Sequence, residues 1–153
     1  MISFNKRVKC PWTQSEVEKV FKIIQKKIKA SGELEVNVVG DKEIKDLNFR
    51  YRGKNKITDV LSFAWSRFSS EENRGSAISK GFEIGTKNLG QIYVCYPQIA
   101  RQAKQLKIKT KEEFARMLMH GFLHILGYDH IKKKDAKEMF RIQEEIVCHY
   151  VDY

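Results

Sequence analysis

Cysteine, long apolar runs, linker-like stretches and histidine are all scarce in this 153-residue chain, and each scarcity excludes something. The three cysteines, Cys10, Cys95 and Cys148, are odd in number, far apart and form no C-x-x-C pair. That argues against a disulfide scaffold or a cysteine-ligated zinc and favours reduced thiols in a cytoplasmic protein. No apolar run approaches the ~20 residues that span a bilayer. The opening MISFNKRVKCPWTQ has no hydrophobic core of an export signal, so neither membrane nor secretion is expected. No repeat, linker or low-complexity segment interrupts the chain, and residues 1–153 read as one domain large enough to bury a core.

What is plentiful is positive charge: 29 Lys and Arg against 19 Asp and Glu, a net +10. Such a surplus concentrates polyanions and is a common footprint of nucleic-acid binding. Two clusters stand out. KIIQKKIKA at 22–30 reads as the solvated face of an amphipathic helix. Arg50, Arg52, Lys54 and Lys56 read as a short loop with Tyr51 and Gly53, a better place for phosphate contacts.

The elements follow from periodicity. Val17, Val20, Phe21, Ile24 and Ile28 recur at helical spacing over 13–30, with Ser31-Gly32 as the stop. LEVNVV at 34–39 is an alternating, β-branched strand, followed by a short helix over about 41–50. TDVLSFAW at 58–65 is a second strand, with Val60, Ser62 and Ala64 on one face and Leu61, Phe63 and Trp65 on the other. Residues 66–80 read as a loop, and FEIGT at 82–86 and GQIYVCY at 90–96 as strands joined by a tight connection at 87–89. Pro97 opens a helix running to about Leu106. Thr110 with Glu113 fits a capping box at the start of the next helix, and a last helix covers about 133–151 with Ala136, Met139, Phe140, Val147 and Tyr150 in phase. Strands mixed with helices predict a single α+β domain: a small mixed sheet with the helices packed against it.

Histidine is rare, with four in the chain, yet three fall in HGFLHILGYDH at 120–130. His120 and His124 lie one turn apart on one helix face. Gly127 can take a left-handed backbone and end the helix, letting the chain bring His130 back to the same point. A buried helix carrying Phe122, Leu123, Ile125 and Leu126 must give its imidazoles partners. Three imidazoles on one zinc leave a coordination position open, which is the signature of a catalytic rather than a structural site. His149, beside Cys148, reads as a surface or partly buried residue, and Asp129 as a turn residue.

Water on a metal held by neutral imidazoles becomes a usable nucleophile, so hydrolysis is the expected chemistry, and the net positive site favours an anionic substrate such as a phosphodiester. The spacing also matches the metzincin protease pattern H-E-x-x-H-x-x-G-x-x-H, except that Gly121 stands where the general-base glutamate belongs. Such a base contributes ~100- to 10,000-fold, and peptide hydrolysis by that route is not expected.

HGFLHILGYDH, YRGKNKITDVLSF at 51–63 and LGQIYV at 89–94 together resemble the YbeY family of metal-dependent endoribonucleases, with the motifs in the same order over most of the chain. The resemblance implies a mixed α/β domain and one zinc on His120, His124 and His130. It further implies single-strand RNA cleavage in small-subunit (16S) rRNA 3′-end maturation and ribosome quality control. It maps the family's functional arginine onto Arg52, where a guanidinium could clamp phosphate oxygens and stabilise developing charge. Arg50, Lys54 and Lys56 become RNA contacts, and single-stranded RNA, the small ribosomal subunit or its assembly factors become the partners. Asp59 reads as either a group orienting a ligand imidazole or a structural acid holding the loop. The chain departs from the family pattern at Gln91, at Ile57 and over 66–80. Two other readings stay open: an assembly factor with a structural metal, and a metal-dependent hydrolase of another substrate.

Overall fold

The computed structural model describes residues 1–65, 88–128 and 133–151. Its elements are β1 (Ile2–Lys6), α1 (Gln14–Ile28), β2 (Glu33–Val39), α2 (Asp41–Arg52), β3 (Val60–Ala64), β4 (Asn88–Cys95), α3 (Tyr96–Leu106), α4 (Thr110–Ile125) and α5 (Lys133–Val151). The strands form one sheet in the order β1-β2-β4-β3. β1 and β4 run parallel to β2 on either side of it, and β3 runs antiparallel to β4 at the edge. This is a mixed sheet within an α+β domain.

The alternation along each strand divides the apolar residues between two layers. On one face Val60, Ala64, Ile92 and Val94 join a large core built by α1, α3, α4 and α5. On the other, Leu61 and Cys95 pack with Val39 and with Ile44 of α2, flanked by Phe63 and Tyr93. The site helix α4 is the spine of the large core: Phe114, Leu118, Met119, Phe122, Leu123 and Ile125 are fully buried. Phe122 meets Phe21 of α1 at a ring separation of 4.6 Å; truncating such a buried aromatic costs about 3–5 kcal/mol.

Several local expectations need correction. β1 has no counterpart in the periodicity reading, because only Ile2 of its five residues is fully buried and the strand lies at the sheet edge. The helix expected to stop near residue 50 continues to Arg52, so Arg50, Tyr51 and Arg52 are helical and not part of a loop. Thr110 is not a capping residue. Lys109 occupies that position without a side-chain cap, and buried Glu113 turns instead to Arg116. A capping box does form at Thr13 and Glu16. α1 ends with Lys29 in the left-handed conformation (φ 55°) rather than at Ser31-Gly32. Asn88 and Leu89, expected in a connection, belong to β4. The strand expected at 82–86 lies outside the described residues.

Candidate active site

The histidine helix is pressed onto the sheet by a residue with no side chain. A Cβ on Gly121 would sit 3.1 Å from methyl carbons of both Val60 and Ile92, so glycine lets α4 approach β3 and β4 closely. His120 beside it and His124 one turn on are both half-buried. Their Nε2 atoms lie 3.0 Å apart, with the rings edge-on at 4.6 Å between centroids. The helix then stops sharply. Gly127 takes φ 95°, its N–H donates to the carbonyl of His124 at 3.1 Å, and the N–H of Tyr128 donates to that of Leu123 at 2.9 Å. This pair of bonds is the Schellman arrangement, which satisfies carbonyls that the helix end would otherwise orphan. The turn expected at Gly127 is therefore present. His130 and Asp129 lie outside the described residues.

Across from the imidazoles stands Arg52. It closes α2, whose end is set by Gly53 in the left-handed region (φ 68°). Arg52, His120 and His124 line one cavity of about 270 Å³, walled by Thr58 to Phe63 from β3 and the segment leading into it. Two residues, Asn48 and Asp59, hold that segment in place. Buried Asn48 donates from Nδ2 to the carbonyl of Lys56 at 3.0 Å. Asp59 accepts from its neighbour's amide, Val60, at 2.8 Å and from Gln102 of α3 at 3.1 Å. Both Asp59 oxygens thus brace strand to helix, from a position on the wall of the cavity that His120 and His124 share. Arg50, Lys54 and Lys56 are exposed and do not line the cavity; they make a basic lip only in the sense that they flank Arg52 along the chain. Tyr51, also exposed, lays its ring 5.1 Å from Phe63. Gln91 lies elsewhere, donating to Glu35 at 3.1 Å.

Behind His120 is a residue the sequence reading missed. Gln143 of α5 is 2% exposed, and its Oε1 lies 3.0 Å from His120 Nδ1. Its Nε2 donates to Glu144 at 3.4 Å. Glu144 in turn accepts from Arg116 at 2.7 and 3.2 Å, and this pairing holds its carboxyl below the usual carboxylate range. Arg116 also contacts Glu112 and Glu113, each at 3.0 Å, leaving buried Glu113 with a compensating charge. The available signal for Gln143 was its phase: a polar residue on the apolar stripe of Met139, Ile146 and Tyr150.

Do these residues suit a metal? Two imidazole nitrogens on one tetrahedral zinc at 2.0–2.1 Å sit roughly 3.3 Å apart, and the observed 3.0 Å is within a few tenths of that. Nitrogen donors also suit zinc, nickel and copper. Among the described residues no three ligating side chains cluster; the third expected ligand, His130, lies outside them. The two donors that are described fit the ion.

Comparison with known proteins gives the class first: the chain falls among the nucleases, a class of hydrolase. The family profile described as Endoribonuclease YbeY matches residues 3–151, and the chain belongs to that family. It is 41% identical over 119 residues to the endoribonuclease YbeY of Halalkalibacterium halodurans, covering 77% of this chain and 72% of the relative. Against the endoribonuclease YbeY of Staphylococcus aureus strain JH9 it is 36% identical over 145 residues, covering 94% of this chain and 89% of the other. The solution structure of TM1509 from Thermotoga maritima superposes with a TM-score of 0.62 at 27% identity, covering 98% of this chain and 89% of that one.

Proposed function

We propose that this protein is a zinc-dependent, single-strand-specific endoribonuclease acting in the cytoplasm on small-subunit rRNA, in 3′-end maturation and ribosome quality control. One observation carries the reading: a guanidinium and two imidazoles from distant parts of the sequence share one cavity. The basic surplus, the family membership and the exposed lip at Arg50, Lys54 and Lys56 support an RNA substrate. The small ribosomal subunit or its assembly factors are the partners proposed to present that RNA.

His120, His124 and His130 would hold the metal. A bound zinc supplies Lewis acidity and activates water near neutral pH. The chain's own residues do the rest. Arg52 grips two non-bridging phosphate oxygens and stabilises charge developing on phosphorus. Arg50, Lys54 and Lys56 contact flanking phosphates and steer the strand inward. Gly121 stands where the metzincin route needs its glutamate, and a Cβ there would press on Val60 and Ile92 at 3.1 Å, so peptide hydrolysis by that route is not part of the proposal.

The test is cleavage of single-stranded RNA by zinc-loaded protein beside its His124→Ala variant, with casein as the control substrate. Histidine-dependent RNA cleavage without casein turnover is expected. Full zinc loading without RNA cleavage would point instead to an assembly factor whose metal is structural.

A further inference from the structure

Gln143 is a nearly fully buried amide, and its two ends face different partners. Nε2 meets the Glu144 carboxylate. An ionised carboxylate can only accept, so the amide nitrogen belongs on that side and Oε1 belongs on the side of His120. An amide oxygen can also only accept. The hydrogen between Oε1 and His120 Nδ1, 3.0 Å apart, must then reside on the imidazole. A neutral imidazole with its proton on Nδ1 leaves the lone pair on Nε2, the atom turned toward His124.

The orientation propagates from an anchored source. Arg116 grips Glu144 through two nitrogens, at 2.7 and 3.2 Å, while Glu112 and Glu113 hold Arg116 from its own helix. Reversing the amide would set its oxygen against the Glu144 carboxylate and an N–H donor against Nδ1. The burial of Gln143 raises the cost of that misfit, because its own amide cannot turn to water instead.

Resting on the metal reading above, we infer that Gln143 is a positioning residue: held by Glu144 and Arg116, it locks His120 with its proton on Nδ1 and so keeps Nε2 ready to ligate a divalent cation. Interactions of this kind commonly contribute 10- to 100-fold in metal affinity. Gln143 touches neither substrate nor metal in this account.

The test uses the full-length protein and zinc. Affinity is measured by competition with a chromophoric chelator for wild type, Gln143→Leu and Gln143→Glu, and thermal melting of the metal-free proteins monitors folding. Gln143→Leu is expected to bind zinc 10- to 100-fold more weakly, whereas Gln143→Glu, which keeps an acceptor opposite Nδ1 but sets its second oxygen against Glu144, is expected to show a clearly smaller loss. In metal-free wild type, long-range proton–nitrogen NMR correlations should show the His120 proton on Nδ1, a readout that stands even if Gln143→Leu fails to fold. Zinc binding by folded Gln143→Leu equal to wild type, equal losses in both variants, or a His120 proton on Nε2 overturns the inference while leaving the metal reading intact. A wild type that takes up no zinc overturns the metal reading itself and this inference with it.

Discussion

The two walls of the cavity are built on opposite principles. On the helix side, His120 is backed by a buried amide, a carboxylate and an arginine, each oriented by the next. On the α2 side, Arg52 and the residues around it end an exposed helix, with Arg50, Lys54 and Lys56 in solvent. A buried polar network has one satisfied arrangement and holds its groups to it. An exposed basic lip keeps its rotamers and acts through charge at a distance, screened over about 8–10 Å at ordinary salt. In the proposed function, the first wall holds the metal and the second meets the RNA.

Four sets of substitutions sharpen this contrast. The largest effect belongs to the helix wall: His120→Ala with His124→Ala should lose zinc and reduce RNA cleavage to background, as read by elemental analysis after zinc reconstitution and by RNA gel assay. Full metal in the double variant would break the division of labour. Arg52→Lys comes next. Lysine keeps the charge but not the two-pronged donor geometry, and a loss on the order of 100-fold in cleavage is expected, with zinc content unchanged.

Gly121→Glu tests how tightly the helix wall is seated. Its Cβ would meet Val60 and Ile92 at 3.1 Å, and its carboxylate would enter the core, so a loss of about 3 kcal/mol or more is expected in chemical denaturation. No peptidase activity should appear. The smallest effect lies on the lip: Lys54→Ala and Lys56→Ala should each weaken RNA binding modestly and lower the slope of log affinity against log salt by roughly 0.7, the value for one single-strand phosphate contact. A Lys54→Ala variant that abolishes cleavage while Arg52→Lys retains it would reverse the roles assigned to the two.

The same contrast explains what could be read from the sequence. His120, His124 and Gly127 were legible because spacing on one helix is fixed by its geometry, and the turn at Gly127 follows. The alternation of Val60 to Ala64 told which residues face α4 and which face α2. The partnership of His120 with Gln143 spans 23 residues, and no local pattern encodes which helix packs there. β1 escaped because an edge strand with one fully buried residue carries little periodic signal. The capping box at Thr110 was a motif without its context: burial of Glu113 beside Arg116 takes that side chain away from the helix start. Placing Arg50 and Arg52 in a loop was a boundary error of two residues, with Gly53 the stop.

Metal binding and RNA cleavage are expected to depend jointly on one pair of imidazoles. The direct measurement is zinc stoichiometry and single-stranded RNA cleavage, determined on the same preparations of wild type and His124→Ala after zinc reconstitution. One zinc per wild-type chain with RNA cleavage, both lost together in His124→Ala while the variant remains folded, is the predicted result. Cleavage that survives in His124→Ala, or a wild type that cleaves RNA without bound metal, would contradict it.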